Sequence, residues 1–144
     1  MTRNSAVKLL FIATSLLTGC ARLPSDFASL SPCKKVEVYV IYLHDGGAPR
    51  IRARRIIADD GLPASDAIAS QLNTVNDDND KTELVMILQE MQVRGTNLQG
   101  TRAELALRDI VAQNMSKAEL RELAEGTLTI IDQRSRTSVP STEP

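Results

Sequence analysis

Residues 33–61 read CKKVEVYVIYLHDGGAPRIRARRIIADDG, and the period assigned to this stretch decides the fold. Val36, Val38, Val40 and Tyr42 alternate with Glu37, Tyr39, Ile41 and Leu43. β-Branched and aromatic residues at period two mark a strand. The alternate face turns apolar toward its end, which predicts a covered strand. His44-Asp45-Gly46-Gly47 then reads as a tight turn, because Asp-Gly tolerates the positive φ that hairpin turns require. Arg50, Arg52 and Arg54 alternate with Ile51 and Ala53, followed by Arg55, Ile56 and Ile57. The expectation is a β-hairpin from about residue 35 to 58, with the arginines along one strand face.

Downstream of Pro63 the period becomes helical. Ala64, Ile68, Leu72 and Val75 fall on one helix face, and so do Leu84, Ile87, Leu88 and Met91. Between these sets, residues 76–80 (NDDND) break the pattern and offer a cap to the second helix. Thr101 and Glu104 have capping-box spacing ahead of Ala103, Leu107, Ile110 and Val111. Ser116 and Glu119 repeat that spacing ahead of Leu120, Leu123 and Ala124, with Gly126 as the expected stop. Residues 127–132 (TLTIID) are either a third strand added to the hairpin or an apolar end to the helical region. Residues 134–144 read as a disordered tail.

The predicted fold class is therefore α+β. An N-terminal antiparallel hairpin packs against three to four short helices, since a lone hairpin is marginal without a covering layer. The alternative is a mostly helical bundle. Paired short helices also suggest a helical-repeat array, but the 34-residue period and small/large signature of tetratricopeptide repeats are not present.

Upstream, residues 1–20 read MTRNSAVKLLFIATSLLTGC. Arg3 and Lys8 precede an apolar run from Leu9 to Leu17, and small residues follow. This is the layout of a secretory signal, with an apolar run too short to span a bilayer. Leu17-Thr18-Gly19-Cys20 resembles the lipobox of bacterial lipoproteins. The resemblance implies cleavage before Cys20 and acyl chains on that cysteine, the only non-protein group expected. It makes residues 1–19 a signal peptide. Each buried methylene contributes about 0.8 kcal/mol, so several chains on one residue imply firm attachment to membrane lipid. With Ala21 rather than Asp in the second mature position, it implies the outer membrane, facing the periplasm, in preference to the inner membrane. Residues 20–32 then read as the lipidated cysteine and a flexible tether, and residues 33–133 as a single periplasmic domain.

Composition narrows the role further. Cleavage before Cys20 removes two basic residues and no acid from a chain with 17 Lys+Arg and 18 Asp+Glu. The mature chain is mildly acidic, which argues against nucleic acid as a partner. Trp is absent and aromatics are few, which disfavours stacking on sugars or bases. Acylation of Cys20 leaves Cys33 without an intramolecular partner. Cys33 is then buried and inert or forms an intermolecular disulfide.

No catalytic constellation is legible. His44 is the one histidine and falls in the expected turn. No second histidine or cysteine stands at zinc-ligand spacing. Asp77, Asp78 and Asp80 fail the calcium-loop pattern, since Thr82 and Leu88 occupy the positions that need Gly and Glu. Arg50, Arg52, Arg54 and Arg55 are the candidate surface for an anionic partner, because the guanidinium fork binds phosphate or carboxylate with two hydrogen bonds. The expectation is a non-catalytic, lipid-anchored protein that binds another envelope protein, in an accessory or pilotin-like role for a secretion or pilus machine. The alternative is a binder of anionic envelope lipid or polysaccharide through the arginines.

Overall fold

The computed structural model describes residues 22–113 and 116–137. The expected signal peptide, Cys20 and the residues after Thr137 lie outside the described residues. Those described hold a 3-10 turn at Phe27–Ser29 and six α-helices: α1 (Pro32–His44), α2 (Ile51–Ala58), α3 (Leu62–Leu72), α4 (Asp78–Val93), α5 (Arg102–Ala112) and α6 (Ala118–Thr137). They contain no strand. The α+β expectation is overturned, and the helical-bundle alternative fits the described residues.

The hairpin fails at both strands and at its turn. Ser31 caps α1 by accepting from Lys34 N at 3.4 Å, and Pro32 sits in the first turn, where its missing N–H costs nothing. Lys35, Val36, Tyr39, Tyr42 and Leu43 are then buried, which is a helical stripe and not an alternation. Every second residue is apolar here, but so is every third and fourth, and burial selects the helical set. The glycines end α1 instead of reversing a strand. Gly46 has φ +81, its N–H reaches Leu43 O at 2.9 Å, and Gly47 N–H reaches Tyr42 O at 2.8 Å. This pair of hydrogen bonds is the Schellman stop. The same stop recurs after α4, where Gly95 has φ +104 and Thr96 N–H reaches Met91 O at 2.9 Å.

In α2 the buried residues are Ala53, Ile57 and Ala58. Lys35 on α1 is also buried and closes on Asp60, just past α2, at 2.8 Å. The helical periodicity of the later segments matches the structure except at Val75, which lies past the end of α3 and is only partly buried. Ala64, Ile68 and Leu72 are buried in α3, and Leu84, Ile87, Leu88 and Met91 in α4. Asp77 caps α4 through Asn79 N and Asp80 N, and Thr101 caps α5 through Glu104 N. The Glu104 carboxylate reaches back to Gly100 N at 2.6 Å.

The third strand is also overturned. Residues 127–132 lie inside α6, which runs through Gly126 without stopping and buries Thr127, Leu128 and Ile131. The helix continues to Thr137, so residues 134–137 belong to it and not to a tail. Part of the stretch expected to be a flexible tether is folded onto the domain. Phe27 is 5% exposed, and Leu23 and Leu30 pack against the core.

The helices stack as three pairs. α1 packs on α3 and α3 on α5 in one layer, and α2 packs on α4 and α4 on α6 in the other. Within pairs, α1 meets α2, α3 meets α4 and α5 meets α6. This is the contact pattern of stacked helical hairpins, in which each pair buries its apolar face against the next. The pairs open at residues 32, 62 and 102, so their spacing is unequal and no fixed period is legible. The core is one continuous cluster from Phe27 to Ile131.

Candidate functional site

The four arginines do not form a stripe, because a helix separates what a strand would align. At 100° per residue, period-two positions fall on opposed sides. Arg50 lies just before α2 and folds back on α1. Its backbone N–H donates to Tyr39 Oη at 3.2 Å and its Nε to Tyr42 Oη at 2.9 Å. The guanidinium also lies 5.4 Å from the Tyr42 ring centroid, in cation–π range. Tyr42 in turn donates to Ala48 O at 2.8 Å, which pins the α1–α2 connection. Arg50 is a structural residue.

Tyr39 joins α1 to α4. Its hydroxyl donates to Glu83 Oε2 at 3.2 Å. Burial, with the Glu83 charge beside it, pushes the phenol up to about 12, against the partial relief of the Arg50 N–H bond. The pairing of Tyr39 with Glu83 carries no signal in the sequence, since it depends on α1 and α4 meeting.

Arg54 and Arg55 face α4, which runs parallel to α2. Arg54 reaches Glu83 and Met86, whereas Asp59, further along, reaches Arg94. The groove between the helices has a volume of 240 Å³ and is lined by Ile51, Arg54, Arg55, Met86, Gln89, Glu90 and Val93. Its ends are apolar and uncovered: Ile51 is 59% exposed and Val93 67%.

The arginine pairing here is incomplete. Arg54, its side chain only 19% exposed, has Glu83 at 3.7 Å and donates from Nη1 to Met86 Sδ at 3.0 Å. The first is long, and a thioether is a weak acceptor. Arg55 lies 4.0 Å from Glu90, which also accepts from Arg94 at 2.8 Å. Arg52 is exposed and forms no ion pair among the described residues.

A second concavity is acidic. Two clefts of 580 and 570 Å³ meet at the exposed His44, at the end of α1, and share Asp77 and Asp80. Glu83 and Glu119 line the larger. Asp80 is raised by burial and then by the Asp77 charge, whereas Asp77 is lowered by the Asp80 and Asn79 N–H bonds that cap α4. Among the described residues, no group of three or more His, Cys, Asp or Glu could hold a metal ion. Nor is any described helix long and apolar enough to cross a membrane.

Cys33 lies in the first turn of α1, exposed, with a free thiol, so the buried reading does not hold. The structure thus brings Arg54 and Arg55 together with Ile51 and Val93, and directs Arg50, Arg52 and Cys33 elsewhere. Compared with protein-family models, curated proteins and solved structures, the chain matches none of them.

Proposed function

We propose that this chain is a lipid-anchored, non-catalytic envelope protein that holds an anionic partner on the α2–α4 face. Cys20 carries the acyl chains and confines the domain to the outer membrane, facing the periplasm. Confinement raises the effective concentration of a modest-affinity site next to its partner. The observation that carries the reading is the Arg54 guanidinium. It is part-buried between a distant carboxylate and a thioether, with donors left over and Arg55 beside it. A carboxylate or phosphate entering the groove gives the Arg54 guanidinium a closer, two-point charged acceptor than the 3.7 Å carboxylate and the thioether it now has.

A protein partner is the main form of this reading, because Ile51 and Val93 add apolar surface that a phosphate cluster does not use. The second form is anionic lipid or polysaccharide, favoured by Arg52, which points to solvent without an ion pair among the described residues. The exposed Cys33 thiol is available for an intermolecular disulfide, which a non-reducing gel detects as a dimer or mixed species. Comparison of wild type with Cys20→Ser and with an Arg54→Gln/Arg55→Gln pair tests the proposal. The first variant should leave the membrane and lose function with its fold intact. The second should stay on the membrane and lose function. A soluble form with full function, or an arginine pair variant with full function, contradicts it.

A further inference from the structure

We infer that the α2–α4 groove docks an acidic amphipathic helix from a partner protein, an inference that rests on the anionic-partner reading above. Three features of the groove select this occupant. The first is shape. Two parallel helices leave a linear furrow, and a third helix seats its side-chain ridge in such a furrow. The eight residues of α2 run for about 12 Å, the length of roughly two turns of a docked helix.

The second feature is the order of chemistry along the furrow. Ile51 stands at the start of α2 and Val93 at the end of α4, with Arg54 and Arg55 between them. A partner helix matches this order with aliphatic residues about two turns apart and a carboxylate between them. The carboxylate meets Arg54, whose present acceptors are a thioether and an oxygen at 3.7 Å.

The third feature is Glu90, which lines the groove and is bound by Arg94. A carboxylate in the wall opposes a cluster of phosphates. It tolerates a peptide that brings one or two acids, and Gln89 next to it offers both a donor and an acceptor. Charge complementarity therefore favours a protein segment over a lipid headgroup or a polyanionic sugar.

The test uses the mature, lipidated chain in neutral detergent. The probes are a synthetic helical peptide of about 14 residues with Leu on one face flanked by Glu, its Glu-to-Gln counterpart, and glycerol phosphate as a soluble lipid headgroup. Fluorescence anisotropy reads the peptides and calorimetry reads glycerol phosphate. The Glu peptide should bind, weaken with added salt, and bind at least about tenfold better than the Gln peptide. Arg54→Gln should lose binding by a similar factor. Val93→Ser should do so too, and its exposed side chain makes no ion pair whose loss would disturb the fold. Equal binding of both peptides, or full binding by Val93→Ser, overturns the inference. Glycerol phosphate binding that needs Arg54 and Arg55, with no peptide bound, overturns the docked helix and leaves the anionic-partner reading standing. Silence from all three probes removes both.

Discussion

Gln92 gives the sharpest prediction about stability. It sits in the last turns of α4, 0% exposed, and neither its side-chain nitrogen nor its oxygen has a hydrogen-bond partner among the described residues. An unpaired buried polar group costs about 1–3 kcal/mol, because it loses its bonds to water and gains none in return. Gln92→Met keeps the chain length and removes the amide. Imperfect packing of the new side chain costs under about 1.5 kcal/mol. The net expectation is a gain of about 1 kcal/mol, which for a domain of this size raises Tm by roughly 4 °C. Gln92→Leu should move the same way by a smaller amount, since branching changes the shape. Thermal unfolding followed by circular dichroism measures both, with urea midpoints as a check that the slope is unchanged. A fall in Tm for both variants would refute the reasoning and mean that the amide stabilises the α4 packing in its present form.

Other consequences can be checked alongside. Gly126 lies mid-helix with nothing within 4 Å of an added Cβ, so Gly126→Ala should stabilise by about 0.5–1 kcal/mol. Gly46→Ala, at φ +81, should instead destabilise by about 1 kcal/mol in the same unfolding assay. The Tyr39 phenol is raised from 10.0 to about 12 in the fold, so the folded protein holds that proton more tightly than the unfolded chain. Its stability contribution is complete below pH 10 and is lost as pH rises toward about 12. Urea midpoints across that window should fall more steeply in wild type than in Tyr39→Phe. Phe27→Ala should cost about 3 kcal/mol and raise proteolysis ahead of α1, because Phe27 is a core residue.

What sequence reading reached and missed follows from particular residues. From Pro63 onward a single period dominates, and the faces of α3, α4 and α5 were legible down to Ala64, Leu88 and Leu107. In α1, apolar residues fill positions that satisfy both periods. The deciding signal was Ser31-Pro32, a helix start that its proline-rich surroundings disguised as tether. Gly46 signalled positive φ correctly, but positive φ serves a helix stop as well as a hairpin. Gly126 and the β-branched run after it pointed away from helix. Burial of Thr127, Leu128 and Ile131 overrode local propensity there.

The candidate site was half legible for the same reason. The arginines stood out by composition, but their neighbours depended on the period. On a strand, Arg50, Arg52 and Arg54 share a face; on a helix, Arg54 and Arg55 share a groove with residues of α4 more than thirty positions away. Ile51 and Val93 carried no signal of exposure, since hydropathy alone does not separate a core apolar residue from an exposed one. Glu83 and Tyr39 were invisible until α1 and α4 were placed in contact.

The most direct test of the account is photo-crosslinking in intact cells from a probe amino acid at position 93. Position 105, on α5, is the control, because Leu105 is comparably exposed at 61% but lies outside the groove. The account predicts a discrete protein adduct from position 93, none from position 105, and loss of the adduct with either Cys20→Ser or Arg55→Gln. Equal adducts from both positions, or an adduct from position 93 that survives either substitution, would contradict it.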